Sequence, residues 1–173
     1  MTRTVFRGLL VVLVTLVFDG CAGYRVGDTS GRDLQGVHSV YVPMAHNTSL
    51  EPDLQMTVTN AIIRQFNNDG TLEVNQTNDA DSELDITVTS VTKTPVSTST
   101  TDILITAQYK LTIQATATYV NRKLGRKMFE NYQVGGSTNF FTQSDIQEGE
   151  RQAVPLAAQD LANNVVKLIV DGW

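Results

Sequence analysis

At 173 residues with 41% hydrophobic content, the chain is long enough for one compact domain with a real core and too short for two comfortable ones. A net charge of −5, from 13 Lys+Arg against 18 Asp+Glu, argues against nucleic acid as the main partner. A single cysteine excludes a disulfide framework within the chain.

Arg3 and Arg7 precede an apolar run from Gly8 to Phe18, broken only by Thr15, and Gly20 follows. Basic region, short apolar stretch and small residue are the layout of a secretory signal. The run, about 11 residues, is well short of the roughly 20 that a membrane-spanning helix requires. Cys21 stands directly after Gly20 in "LVFDGCAGYR", a placement that resembles the lipobox of bacterial lipoproteins. That resemblance implies a diacylglyceryl thioether on Cys21 and an acylated amine. Two chains anchor far more firmly than one, since each buried methylene contributes about 0.8 kcal/mol. Ala22 in place of Asp implies the outer membrane, with the domain on its periplasmic side. Phe18 and Asp19, where Leu and a small residue are usual, keep open an ordinary signal peptide that leaves a free Cys21. The expected organisation is a lipoprotein signal over 1–20, a lipidated N-terminus and tether over 21–36, and a single domain over 37–173. Removing Arg3, Arg7 and Asp19 with the signal leaves 11 Lys+Arg and 17 Asp+Glu, a net charge of −6.

Within the domain, Val37 to Val42 reads as a strand closed by Pro43. "NTSLEPDLQMTVTNAIIRQFNNDG" reads as a helix, with Pro52 suited to its first turn, Leu54, Val58, Ala61, Ile62 and Phe66 on one face, and Gly70 past its end. A short strand, Leu72 to Val74, precedes an acidic turn. Glu83 to Val91 alternates as a half-buried strand. From Tyr109 to Val120 the alternation is cleanest: Tyr109, Leu111, Ile113, Ala115, Ala117 and Tyr119 share one face, while Lys110, Thr112, Gln114, Thr116 and Thr118 share a wet one. "NRKLGRK" is the turn of a hairpin, and Met128 to Val134 returns beside the long strand. Residues 135–139, rich in Gly and Ser, separate that strand from a last helix. Ser144 and Gln147 have the spacing of a capping box there, and Val154, Ala158, Leu161, Val165 and Leu168 mark its face. Pro155 either kinks this helix or marks its start. The expected fold is α+β, a two-layer sandwich with two helices on one face of a mixed, mostly antiparallel, four- to five-stranded sheet.

Asp79, Asp81 and Glu83 are spaced like the start of a calcium loop, but Leu84 and Ser90 stand where Gly and Glu are needed, so a solvated acidic turn is the better reading. His38 and His46 lack the flanking residues of a zinc site and read as surface histidines. No nucleophile elbow, phosphate-binding Gly loop or base and nucleophile set occurs. The expectation is a non-catalytic protein with no cofactor and no metal.

"CAGYR", "VYVPMAHNTS", "LEPDLQMTVTNAIIRQF", "STSTTDILITAQYKLTI" and "ERQAVPLAAQDLANNVVKLIVDGW" together resemble the LPS-assembly lipoprotein (LptE) family across nearly the whole chain after Cys21. The resemblance implies two helices on a mostly four-stranded sheet. It implies a non-catalytic plug of the outer-membrane barrel LptD that aids barrel assembly and lipopolysaccharide delivery to the outer leaflet. It also implies contact with lipopolysaccharide through basic loop residues. Residues 94–106 and 139–149 contain no Lys or Arg, so those cations are expected at Arg122, Lys123, Arg126 and Lys127 of the hairpin tip, where the alternative is a solvated turn. Thr112, Gln114 and Thr116 are expected to face the barrel, whose lumen is polar. Residues 40–74 also resemble lipoprotein activators of peptidoglycan synthases such as LpoB, and a lipid-carrying lipoprotein is a third reading.

Overall fold

The structure, a computed structural model, describes Leu34 and residues 36–77, 79–97, 107–142 and 146–172. The signal segment, Cys21, most of the tether, Ser144 of the capping box and Trp173 lie outside the described residues.

In chain order the elements are β1 (Ser39–Tyr41), β2 (His46–Asn47), α1 (Leu54–Asp69), β3 (Glu73–Asn75), β4 (Ser82–Ser97), β5 (Ala107–Asn121), β6 (Arg126–Thr142) and α2 (Ile146–Val170). The sheet runs β3-β1-β4-β5-β6, with β2 pairing β4 beyond the end of β1. β1 is parallel to β3 and β4, β2 is parallel to β4, and β4, β5 and β6 form an antiparallel meander. The mixed α+β sandwich is the one expected, with the two-residue β2 as a sixth strand.

Alternation sets the layering. Leu84, Ile86 and Val88 of β4, and Leu111, Ile113, Ala115, Ala117 and Tyr119 of β5, join one core with Leu54, Val58, Ile62 and Phe66 of α1 and Ala157, Ala158, Leu161 and Val165 of α2. Both helices therefore cover the same side of the sheet. α1 ends at Gly70, whose left-handed φ of 75° lets its N–H reach the Phe66 carbonyl at 2.9 Å. The start differs from expectation: Asp53, itself left-handed at φ 60°, caps a helix that begins at Leu54, so Pro52 lies before its first turn. Packing also reaches back before Val37, because Leu34 is buried in the core and its carbonyl accepts the Val37 N–H at 3.0 Å.

The three long strands outrun the sequence expectation. β4 continues through Ser97, in a stretch expected as loop, and β6 runs through Gly135 and Gly136 to Thr142, where a break was expected after Val134. Paired to Gln114 and Ile113, the two glycines sit in an intact ladder. Their role is close approach. A Cβ on Gly136 would lie 2.1 Å from the Leu161 nitrogen and 2.4 Å from the Ala157 oxygen, so α2 rests directly on the strand backbone. On either side, Asp160 Oδ2 accepts the Ser137 N–H and Asn164 Nδ2 donates to the Gly135 carbonyl, each at 2.8 Å. These bonds occupy the outer edge of β6, which would otherwise present free backbone groups. Pro155 lies inside α2, which starts nine residues earlier at Ile146, so it does not mark the start of the helix.

Candidate functional site: an open sheet face and a clasped hairpin tip

The side of the sheet away from the helices carries no covering element among the described residues. Its centre is built in register: Thr92, Thr112 and Ser137 form one row, Ser90, Gln114 and Gly135 the next, and Thr87, Thr116 and Gln133 a third. Thr112 and Thr116 are half-buried by their neighbours and Gln114 is exposed, so the three residues expected to face a partner share one surface. Threonine suits such a surface twice over, because β-branching favours the pleated backbone while the hydroxyl keeps the face wet. The rows are uncharged. Charge appears only toward the ends, with Lys110 at one and Glu83 and Asp85 at the other. Lys110 belongs to the alternation of the wet face.

The basic hairpin tip closes the strands at the Glu83 end. A four-residue turn joins β5 to β6, in which the Gly125 N–H bonds the Arg122 carbonyl at 3.2 Å and the buried Asn121 Oδ1 accepts the Leu124 N–H at 3.0 Å. Gly125, at φ 60°, supplies the left-handed residue that this turn requires. Its four cations divide into two pairs. Arg122 Nη2 bonds Glu83 Oε2 at 2.6 Å, with each side chain 25% exposed, and its guanidinium lies 5.9 Å above the Tyr41 ring. Lys123 Nζ lies 3.1 Å from Asp81 Oδ1 and also donates to the Gly36 carbonyl. Arg126 and Lys127 stand exposed beyond them, Lys127 meeting Glu130 in a surface pair with both side chains more than half exposed. Convergence of all four on one head group would therefore require breaking three pairs to carboxylates, two of them partly buried.

The acidic turn is thus more than a solvated one: Asp81 and Glu83 hold the tip to the β1–β4 junction. The His38 N–H, donating to Asp81 Oδ2 at 2.8 Å, draws the carboxyl below its ordinary range, with Lys123 helping and burial opposing. Asp85 is pushed the other way, first by burial and then by Glu83, while His46 and Arg122 pull back. Both histidines are exposed, and no metal-holding group of His, Cys, Asp and Glu occurs among the described residues. The clasp was hidden in the sequence because its partners lie 39 to 42 residues apart, although an acidic and a basic turn in one chain were the visible signal. A surface cleft of about 570 Å³ between the starts of α1 and α2 is lined by the charged Glu51, Asp53, Glu150 and Arg151 and by the apolar Leu54, Val154 and Pro155. No described helix is long and apolar enough to cross a membrane.

A protein-family model described as LptE, Lipopolysaccharide-assembly, matches residues 37–169. No curated protein matches the chain. Among solved structures, the chain is similar to a neuraminyllactose-binding hemagglutinin homolog from Helicobacter pylori, at 11% identity and a TM-score of 0.51, over 84% of this chain and 91% of that one. It is also similar to a minor lipoprotein from Acinetobacter baumannii, at 14% identity and a TM-score of 0.49, over 76% of this chain and 92% of that one. At such identities the first likeness shows a shared fold.

Proposed function

Because the chain belongs to the LptE lipopolysaccharide-assembly family, we propose that it is a non-catalytic lipoprotein of the outer membrane, anchored through Cys21, that seats its open sheet face inside the β-barrel LptD and supports lipopolysaccharide delivery. One observation carries the reading: three long, paired strands present rows of Thr, Ser and Gln on the side the helices leave bare. A barrel lumen is polar and partly hydrated, so a plug surface has to match hydroxyls and amides without leaving a buried charge unpaired. The Thr87–Thr116–Gln133 and Thr92–Thr112–Ser137 rows supply that chemistry over a surface three strands wide.

Photocrosslinkers at Thr112, Gln114 and Thr116 are expected to capture an integral outer-membrane barrel. Absence of adducts at all three positions, with normal expression, would overturn the plug. Capture of a peptidoglycan synthase would support the LpoB-like activator instead, and co-purification of extracted lipid alone the carrier. Mass spectrometry of protein extracted from membranes is expected to find an acylated N-terminal Cys21, and a chain retaining residues 1–20 or a free thiol would remove the anchor.

A further inference from the structure

We propose that the β5–β6 hairpin tip is a bilayer contact, with Arg126 and Lys127 against lipid phosphates and Leu124 at the head-group boundary, so that it sets the domain's orientation on its own membrane. The proposal rests on the acyl anchor at Cys21, and three observations carry it.

The first is where the chain outside the domain arrives. Leu34 is packed in the core, and Lys123 of the tip donates to the Gly36 carbonyl, so the tether enters the domain beside the hairpin. From Cys21 to Leu34 the chain, even fully extended, reaches no more than about 45 Å. β5 alone, at 15 residues, is about 50 Å long. The anchor therefore lies within reach of the tip end of the sheet, while the 97–107 end, a further strand length of about 50 Å away, exceeds the tether's full extension.

The second is charge. In sequence, residues 94–106 and 139–149 contain no Lys or Arg, while the tip holds four cations in six residues. Two of these, Arg122 and Lys123, are turned inward to Glu83 and Asp81. Arg126 and Lys127, next to each other on a strand, project to opposite faces of the hairpin, so they straddle the turn. Glu130 faces Lys127, but an exposed pair of this kind contributes little and exchanges readily with another anion.

The third is the turn's apex. Leu124 is 52% exposed and sits between the paired and the outer cations, with its backbone N–H already bonded to Asn121. A leucine held out by a rigid turn and ringed by Lys and Arg matches the head-group boundary, where an apolar side chain enters and cations meet phosphate. For a turn that only keeps the edge soluble, the exposed leucine is a liability.

The test uses the acylated full chain carrying Leu124→Trp and Trp173→Phe, reconstituted with phosphatidylglycerol–phosphatidylcholine or pure phosphatidylcholine vesicles containing brominated lipid. Flotation with either vesicle reports the anchor alone, and loss of flotation would refute the anchor and, with it, the orientation argued from the tether. In floating protein, the indole is expected to shift to the blue and be quenched in the anionic vesicles, less so in neutral ones or at high salt. Arg126→Gln with Lys127→Gln is expected to lower the ratio of docked to free tip roughly thirtyfold, since each cation near an anionic surface contributes about a fivefold change. An indole that stays water-exposed on anionic vesicles while the protein floats would overturn the proposal. So would a response confined to lipopolysaccharide micelles, which would return the tip to lipid A binding.

Discussion

Replacing Gly136 by alanine puts one methyl group where α2 touches β6. The new Cβ would stand 2.1 Å from the Leu161 nitrogen, 2.4 Å from the Ala157 oxygen and 2.5 Å from the Leu161 Cα, whereas ordinary contact begins at 3.4 Å. These are backbone atoms, so no rotamer change relieves the clash, and the helix has to withdraw bodily. Overpacking of this kind costs about 1–3 kcal/mol. The two flanking bonds, Asp160 to the Ser137 N–H and Asn164 to the Gly135 carbonyl, stretch with it and add about 1 kcal/mol each. The expected loss is about 3–5 kcal/mol, a large part of the stability of a domain this size. Gly135→Ala is the internal control, because its Cβ meets the Gln114 side-chain amide at 3.0 Å, a flexible end that swings away. The gain of about 0.5–1 kcal/mol from replacing a strand glycine offsets that adjustment. Urea unfolding of both variants, compared at equal m-values, measures the difference. A Gly136→Ala loss below about 1 kcal/mol, or equal losses at the two sites, would refute direct seating of the helix on the strand.

Asp160→Ala keeps the fold but frees the Ser137 N–H, and is expected to cost about 1–2 kcal/mol in chemical denaturation and to raise self-association in light scattering. Tyr119→Phe is expected to change stability by no more than about 1 kcal/mol in chemical denaturation, because the cost of burying the hydroxyl, which pushes its pKa up to about 12, offsets what its hydrogen bond with the Ser82 side chain contributes. Asp81, lowered in the folded state, contributes stability that is present above the unfolded carboxylate range and lost as pH falls through its lower folded value. The deficit of Asp81→Asn is therefore expected to be largest near neutrality and to vanish in strong acid. Asp85 has the opposite sign: its carboxyl is raised, so the charged form is disfavoured in the folded state, and Asp85→Asn is expected to gain about 0.5 kcal/mol or less at pH 7 and nothing in strong acid.

Periodicity by itself determined the two helices, the long strands and their wet face, because each rests on local spacing. The stripe Leu54, Val58, Ile62, Phe66 can bury only as a helix, and Tyr109 to Val120 can keep its apolar half dry only as a strand, so Thr112, Gln114 and Thr116 had to share a side. Strand ends were decided elsewhere. Gly135 and Gly136 look like a break in isolation, yet β5 supplies their ladder and Leu161 and Ala157 require a residue without a side chain there. The hairpin tip divides in the same way. Its four cations were legible as a cluster, but which of them face inward depends on Asp81 and Glu83, brought to the turn by the pairing of β4 with β5 across 39 or more residues. Local spacing fixes which way a side chain points along its own element. Only the packed sheet decides what it meets there, because a close approach or an ion pair is a property of two segments at once.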